Sequence, residues 1–374
     1  MLSDCVRMDS YSNAVFENKH HFEGKAVLDV GKGSGILAIW SAQAGARKVY
    51  AVDATKMVEH ASELVKAISV QDIFEVIEGS MEDVTFPEKV FDVIISEWMG
   101  YFLLCESMFD SVICACECWL KPSGVMYPSH ARMWMAPGRS GLVDQKKSDY
   151  EDAMNDCRQI LKFIESYYGV DIRVLTNPFA KEQRKYYLNV DIAVEQPSNP
   201  NQVKGTPVII KEIDCSTGTI NGIIVYFNSS ISSSITAENT RHCRFAGWFD
   251  VHFRGSHENR APQEIELTTA PNEDFGTHWG QQVFLLHPPV RAHQEDNLIL
   301  NFSLTRSKEN HRNGTSVVYE QVLLRMNLDP DIFPVPAKMG KFSSPCLCRL
   351  VPRGFNGATR TVWKKVPRFA MQSM

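Results

Sequence analysis

The sequence lacks any run of 18 consecutive apolar residues, the length that a membrane-spanning helix requires. Its first residues also lack the basic and apolar segments of a secretory signal. Positive charge is not in excess, because 39 Lys and Arg stand against 44 Asp and Glu, a formal net charge of −5. We therefore expect a protein of the nucleus and cytoplasm that suits a cationic partner, with no membrane contact and no surface built for nucleic-acid phosphates.

Cysteine occurs ten times, but no CxxC pair is present. In a chain without a secretion signal we expect reduced thiols rather than a disulfide framework. The spacing of three cysteines suggests a metal cluster at Cys114, Cys116 and Cys118. On a helix, however, only Cys114 and Cys118 would share a face. No nearby His completes a tetrahedral set, so we expect no metal site.

The first third of the chain has the pattern of a parallel sheet. At 374 residues the chain is long enough for about two domains. Apolar runs alternate with helical spacing, which predicts an α/β fold with a Rossmann-like domain over residues 1–125. The predicted strands and helices are Ala26–Val30, Ile36–Ala44, Val49–Val52, Lys56–Ile68, Phe74–Ile77 and Val93–Ile95. Ligands of such sheets bind beyond the carboxyl ends of the strands.

The pattern changes at residue 126. Short β-branched runs, such as Val208–Ile210, Ile223–Tyr226 and Trp248–Val251, predict a mostly antiparallel β domain over residues 126–320. Within it, the polar segment from Asp149 to Tyr168 has helical spacing and predicts a projecting arm at about 142–178. The residues alone leave open whether this arm serves oligomerisation or is a plain surface helix.

Residues 321–374 differ again. Eight Lys or Arg residues follow Asp331 with no acidic residue among them, interleaved with Pro, Gly and Ser. This composition predicts an irregular basic tail. Two interpretations stay open, a tail that binds nucleic acid or an acidic partner and a solvated tail without function.

A glycine-rich segment follows the first predicted strand and opens the first predicted helix of the sheet, where backbone approaches a ligand closely. Gly31, Gly33 and Gly35 give the spacing Gly-x-Gly-x-Gly, whereas a dinucleotide site needs a glycine at position 36, which is Ile36. With Asp53 at the end of the next strand to accept ribose hydroxyls, the pattern fits S-adenosylmethionine better. A tight turn without a ligand is the alternative.

Two glutamates, Glu97 and Glu106, bracket an apolar and aromatic loop directly after the strand-like run Phe91–Ile95. Carboxylates among such residues need a cation, because an unpaired buried charge is costly. A planar guanidinium matches two carboxylates through its fork of N–H donors. The loop therefore predicts an arginine substrate, whose charge is drawn toward the bound nitrogens so that the remaining nitrogen becomes more nucleophilic. The alternative is a solvated loop with two unrelated glutamates.

His278 and Trp279 lie in a glycine-flanked loop of the β region. The histidine is a candidate general base or a candidate wall of a substrate site, and a purely structural role is the alternative.

Together the motifs resemble, in family order, those of the protein arginine N-methyltransferases. The matching segments are the post-helix segment Met1–Tyr11, the glycine motif Val27–Gly35, the double-glutamate loop Ser96–Met108 and the loop Thr277–Trp279.

The resemblance implies an S-adenosylmethionine domain, a β-barrel with a helical dimerisation arm and a homodimer. It also implies asymmetric dimethylation of arginine in proteins such as histone tails. It assigns catalysis to Glu97, Glu106 and His278, the last with Asp4 as an orienting partner. It assigns cofactor binding to Arg7, Asp29, Gly31, Gly33, Gly35, Asp53, Glu82 and Met108, and substrate binding to Met1, Tyr101 and Trp279.

The resemblance covers roughly residues 1–312 and starts after the family's first helix, a lid over the cofactor, so we expect a chain without that lid. Asp53 stands where the family usually has Glu, and Lys32 where it has a small residue. A catalytically weak or inactive truncated paralogue that dimerises and binds arginine-rich proteins is therefore the alternative function. A small-molecule methyltransferase fits less well, because a large β domain suits a polymeric substrate.

Overall fold

The computed structural model describes residues 2–31, 33–54, 63–87, 90–104, 108–139, 141–187, 192–195, 200–217, 226–238, 240–273, 276–306, 315–328, 348–350 and 360–365. Its helices are α1 (Cys5–Glu17), α2 (Ile36–Gln43), α3 (Phe109–Trp119), α4 (Gly141–Tyr168) and α5 (Thr176–Tyr187). Its strands are β1 (Ala26–Val30), β2 (Lys48–Asp53), β3 (Phe74–Glu78), β4 (Phe91–Ser96), β5 (Leu120–Tyr127), β6 (His130–Gly138), β7 (Ile192–Glu195), β8 (Val208–Asp214), β9 (Tyr226–Ser234), β10 (Thr240–Gly255), β11 (Arg260–Thr268), β12 (Gln281–Ala292), β13 (Asn297–Arg306), β14 (Thr315–Leu328), β15 (Cys348–Leu350) and β16 (Arg360–Lys365).

The first sheet has the strand order β3-β2-β1-β4-β5, and each neighbouring pair is parallel. All five residues of β1 are buried, as expected for a central strand covered on both faces. The order reverses between β1 and β4, so ligands are expected beyond the carboxyl ends of these two strands. The predicted Rossmann-like α/β domain is confirmed. Of the predicted helix Lys56–Ile68, residues 63–67 are helical and 55–62 lie outside the described residues.

The second part of the chain is antiparallel, as predicted. One sheet has the order β7-β12-β10-β6-β8 with β11 paired to β10, and the other has the order β15-β16-β14-β13-β9. A bridge between Gly205 and Ile235 links the two sheets. Of the predicted run Ile223–Tyr226, Tyr226 begins β9 and the rest lies outside the described residues.

Helix α1 docks on β11 and so joins the two parts of the molecule. The amide of Asn18, just after the helix, donates to the carbonyl of Gln263 at 2.9 Å and accepts from its N–H at 3.2 Å. The hydroxyl of Ser10 lies 3.4 Å from the carbonyl of Glu266. Because these side chains satisfy backbone groups on the outer edge of a strand, they fix the helix against the β domain.

Helices α4 and α5, with the turn between them, form the helical arm. The predicted helix Asp149–Tyr168 lies within α4, which begins earlier, at Gly141. Large apolar side chains of the arm are exposed, including Ile160, Phe163, Tyr167, Tyr168, Val174, Leu175 and Tyr186. Within the described ranges, no helix combines the length and apolar character needed to cross a bilayer.

The predicted domain boundaries stay predictions, and two strands cross them. Strand β5 completes the first sheet and runs to Tyr127, past the predicted boundary at residue 125. Strand β6 of the antiparallel region begins shortly after it, at His130. Strand β14 runs from Thr315 to Leu328 and pairs with both β13 and β16. Within the predicted irregular tail, β15 and β16 pair with each other.

Candidate active site

Three glycines shape the backbone of the loop between β1 and α2. Gly31, Gly33 and Gly35 have φ angles of 72°, 48° and 79°, in the left-handed region that favours glycine. A Cβ atom on Gly31 would lie 2.5 Å from Cε of Met108, so a side chain there would displace the methionine. The structure thus brings Gly31 together with Met108, the residue just before α3.

Two carboxylates flank this loop. Oδ2 of Asp29 accepts a hydrogen bond from the N–H of Ala38, in the first turn of α2, at 3.2 Å. It thereby takes a donor of the helix N-terminus, where a pyrophosphate would otherwise bind. Oδ2 of Asp53, a buried residue at the end of β2, accepts from the N–H of Gly33 at 3.0 Å. The site therefore suits a ligand that offers hydroxyl donors and no phosphate.

Glu82 follows β3 on the exposed side of the same region. Its Oε1 accepts from the hydroxyl of Ser111 on α3 at 2.8 Å, and its Oε2 accepts from Ser80. Burial raises the pKa of Glu82, but the hydrogen bonds from Ser80 and Ser111 outweigh this and hold it below its ordinary value. Glu82 is therefore an anion that ties the exit of β3 to α3, at Ser111, three residues after Met108.

Glu97 is the first residue after β4 and its side chain is only 5% exposed. Nη2 of Arg7 on α1 lies 3.2 Å from its Oε2, and that side chain is 6% exposed. The cation that meets Glu97 in this structure is therefore an arginine of the same chain. Removing one partner of a buried pair is strongly destabilising, because the other charge stays in the interior. The predicted contact of Arg7 with a cofactor carboxylate stays a prediction.

The loop after Glu97 folds back on itself. The N–H of Gly100 donates to the carbonyl of Leu103 at 3.0 Å. Phe102 and Leu103 have φ angles of 46° and 68°, which cost about 1–2 kcal/mol for each residue that is not glycine. Packing holds the strained loop, since the Phe102 ring lies 5.2 Å from that of Phe284 on β12. Strain of this kind concentrates at functional sites.

Asp4 and His278 connect α1 to the β domain. Oδ1 of Asp4 caps the helix by accepting from the N–H of Arg7 at 3.0 Å. Its Oδ2 accepts from the N–H of His278 at 2.9 Å and from Nδ1 of the ring at 2.6 Å. Burial raises the pKa of Asp4, but these hydrogen bonds outweigh it and the pKa lies below its ordinary value. Because an ionised carboxylate can only accept a hydrogen bond, Nδ1 of His278 carries the proton that it donates to Asp4. In the neutral ring Nε2 is then the nitrogen that can accept a proton.

Two of the three predicted substrate residues, Tyr101 and Trp279, lie in the described part of the chain and differ in exposure. Tyr101 is 39% exposed at the tip of the loop after β4. Trp279 is buried, its Nε1 donates to the carbonyl of Met99 at 3.0 Å, and its ring packs against Phe249 at 5.4 Å. Tyr101 is therefore accessible to a substrate, whereas Trp279 anchors the loop.

Two predicted site residues, Met1 and Glu106, lie outside the described residues. Among the residues that are described, no group of three or more His, Cys, Asp or Glu side chains is placed to hold a metal ion.

One residue at the site was not predicted. The hydroxyl of Tyr11 donates to the carbonyl of Ser96 at 2.8 Å, immediately before Glu97. A signal for it exists in the sequence, because Tyr11 follows Arg7 by four residues and so lies on the same face of α1.

Comparison with known proteins agrees with this arrangement. Residues 27–124 match the methyltransferase domain family, and residues 148–320 match the arginine methyltransferase oligomerization subdomain. Protein arginine N-methyltransferase PRMT10 of Arabidopsis thaliana is 62% identical over 312 residues, which are 83% of this chain and 80% of that protein. The chain belongs to the protein arginine N-methyltransferase family. The resemblance inferred from the four motifs is therefore confirmed.

Other members and their structures extend the comparison. PRMT10 of Oryza sativa subsp. japonica is 61% identical over 83% of this chain and 81% of that protein. The crystal structure of Arabidopsis thaliana protein arginine methyltransferase 10, described as uniquely open, has a TM-score of 0.78 at 58% identity and covers 87% of this chain and 92% of that one. A Trypanosoma brucei PRMT1 enzyme–prozyme complex with AdoHcy has a TM-score of 0.69 at 27% identity, covering 89% of this chain and 93% of that one.

Members of this family are S-adenosylmethionine-dependent methyltransferases, and the glycine loop fits that cofactor. A side chain at Gly31 would press on the terminal methyl of Met108, and the carboxylate of Asp53 lies beside the loop, where it would accept ribose hydroxyls. The carboxylate of Asp29 accepts from the N-terminal turn of α2 and so disfavours a phosphate there. Arg7, Glu82 and Met108 are the further residues that would hold the cofactor, and when bound it supplies an electrophilic methyl group.

Proposed function

We propose that this protein methylates arginine in proteins such as histone tails and forms asymmetric dimethylarginine, in the nucleus as well as the cytoplasm. The observation that carries the proposal is the buried Glu97, which pairs with a guanidinium 3.2 Å away, at the carboxyl edge of the sheet beside the glycine loop. A site that already holds the guanidinium of Arg7 has the charge and shape to bind that of a substrate.

In this mechanism, Glu97 and Glu106 accept the N–H groups of the substrate guanidinium and hold its charge on the bound nitrogens. The remaining terminal nitrogen takes the methyl group that the bound sulfonium would give up, with the electron pair of the S–CH3 bond left on sulfur, and releases one proton. His278, oriented by Asp4 through the 2.6 Å contact, accepts that proton at Nε2. Two carboxylates that hold the guanidinium also fix the position of its reacting nitrogen, so that the nitrogen is aligned with the methyl group.

Product analysis tests the substrate and the symmetry of the reaction. We expect mass spectrometry of an arginine-containing histone-tail peptide, incubated with the protein and S-adenosylmethionine, to reveal monomethylarginine and asymmetric dimethylarginine. A peptide with every arginine replaced by lysine is the control and should stay unmodified. Symmetric dimethylarginine, or methyl groups on lysine, would contradict the proposal.

Cofactor binding depends on Asp53 in this account. We expect Asp53→Asn to weaken S-adenosylmethionine binding on the order of 10-fold, because a hydrogen bond to a charged group contributes about 1.5–3 kcal/mol. Isothermal titration calorimetry measures the change. Asp72→Asn, an exposed carboxylate in the turn before β3, is the matched control and should bind like wild type. Equal affinities for all three proteins would remove Asp53 from the cofactor site.

The helical arm supports a homodimer. Its exposed apolar side chains, with Tyr167 at 73% and Val174 at 81%, form a surface that is costly to leave in water. Phe163 and Tyr167 stack at 5.4 Å and present a joint aromatic face. The match of residues 148–320 to an oligomerization subdomain points the same way.

Charge on the arm should therefore separate the dimer. We expect Tyr167→Glu combined with Phe163→Glu to give monomers in sedimentation velocity, where wild type gives dimers. Ile209→Glu, on an exposed apolar residue of β8 outside the arm, should stay dimeric. A monomeric wild type, or a charged variant that still dimerises, would reject the arm as the interface.

A further inference from the structure

We propose that Tyr11 is a positioning residue for Glu97, an inference that rests on the proposed function. The hydroxyl of Tyr11 donates to the carbonyl of Ser96 at 2.8 Å and lies 3.6 Å from Sδ of Met99. These contacts fall on both sides of Glu97, one residue before it and two residues after it. A single side chain thus holds the backbone that carries the carboxylate.

Tyr11 is itself held firmly. It is 1% exposed, and its ring meets that of Phe253 on β10 edge to face, with the centroids 4.9 Å apart. It lies one helical turn after Arg7, whose guanidinium contacts the side chain of Glu97. Helix α1 therefore holds Glu97 twice, by its carboxylate through Arg7 and by its backbone through Tyr11.

Neighbouring contacts complete the support of the loop. The hydroxyl of Ser96 donates to the carbonyl of Val30 at 2.7 Å, which ties the end of β4 to the end of β1. Nε1 of Trp279 donates to the carbonyl of Met99 at 3.0 Å, from the β domain. Of these supports, the Tyr11 hydroxyl is the one that touches both Ser96 and Met99, so its loss should free the segment between them.

The hydroxyl keeps its proton under working conditions. Burial raises the pKa of Tyr11 well above its ordinary value, and the negative charge of Glu97 raises it further. The group therefore stays a hydrogen-bond donor throughout the neutral pH range, and the contact with Ser96 does not depend on pH there.

Tyr11→Phe removes the hydroxyl and little else. We expect kcat for an arginine peptide to fall by about 10–100-fold, the size expected when a reacting group is misplaced by about 1 Å, with KM for S-adenosylmethionine unchanged. Amide hydrogen exchange over residues 97–104 should become faster in the same variant. Tyr127→Phe is the matched control, because Tyr127 is equally buried and its hydroxyl contacts Nδ1 of His21 at 2.6 Å rather than Ser96 or Met99. It should keep the wild-type kcat and loop exchange.

The two readouts separate the possible failures. If wild type itself does not methylate arginine, the proposed function fails, while loop exchange still tests Tyr11. Wild-type exchange in Tyr11→Phe, or faster exchange with an unchanged kcat, overturns the positioning role. If Tyr11→Phe does not fold, Met99→Leu decides, since it removes only the sulfur contact. Met99→Leu should speed amide exchange in the loop and lower kcat by about 3-fold. A wild-type exchange rate or a wild-type kcat in this variant would overturn the proposal.

Discussion

A Glu97→Gln variant is expected to methylate an arginine peptide about 100-fold more slowly than wild type, or slower still. Glutamine keeps the shape of the side chain and removes its charge. Because the Glu97 side chain is 5% exposed, its charge acts on a bound guanidinium with little screening by water. The loss therefore removes both the attraction that holds the guanidinium and the polarisation of its reacting nitrogen. Steady-state transfer of labelled methyl groups measures the rate.

Glu75→Gln is the control for this experiment. Glu75 lies on β3, its side chain is 43% exposed, and it pairs with Lys48 at 3.6 Å. Its replacement by Gln therefore also removes a paired carboxylate charge, but outside the candidate active site. It should methylate at the wild-type rate. Since Glu97 also pairs with Arg7, thermal unfolding of each variant is measured alongside. A folded Glu97→Gln protein with wild-type activity would refute the role of this carboxylate.

An Asp4→Asn variant is expected to lose about 100-fold or more in kcat. Asp4 holds His278 through contacts of 2.9 and 2.6 Å, and its charge favours the ring form in which Nδ1 carries the proton. An asparagine offers no charge and can hold the ring in the wrong tautomer, and an Asp that orients a catalytic His is worth large factors in rate. Steady-state transfer of labelled methyl groups measures kcat for the variant and for wild type.

The same variant should change stability in acid. Asp4 has a pKa below its ordinary value in the folded chain. Its contribution to the free energy of unfolding is therefore fully present above the unfolded value of about 3.9, and it is lost as pH falls through the lower native pKa. The difference in that free energy between wild type and Asp4→Asn, measured by urea unfolding, should shrink as the solution is acidified through this range.

Asp92→Asn is the control that separates the two effects. Lys121 lies 2.6 Å from Asp92 and its hydrogen bond helps to hold the pKa of that carboxyl below its ordinary value despite burial. Asp92 lies near the start of β4, whereas Glu97 follows the end of that strand. Asp92→Asn should therefore show the same shrinking difference in unfolding free energy in acid, while its methylation activity stays at the wild-type level. An Asp4→Asn protein that behaves like Asp92→Asn in both assays would exclude Asp4 from the chemistry.

The first sheet could be predicted because its signal is local. Buried parallel strands are short apolar runs, and the run Ala26–Val30 coincides with β1. The position of Glu97 at a carboxyl end follows once β4 is recognised. The glycine spacing likewise predicted the loop beside Asp53, since the N–H of Gly33 meets that carboxylate. Both features follow from residues close together in the sequence.

The contacts that organise the site could not be predicted in this way. Asp4 and His278 are 274 positions apart, and Tyr11 and Ser96 are 85 apart, so each pair meets only through the packing of α1 between the two domains. The left-handed conformations of Phe102 and Leu103 carry no sequence signal, because neither residue favours them. Tertiary packing imposes them, through contacts such as that with Phe284.

We expect the Glu97 loop to select a guanidinium for methylation. The most direct measurement is transfer of labelled methyl groups from S-adenosylmethionine to two peptides that differ only in carrying arginine or lysine. Such selection predicts label on the arginine peptide alone, lost in Glu97→Gln and kept in Glu75→Gln. Label on the lysine peptide, or label on arginine that survives Glu97→Gln, would contradict it.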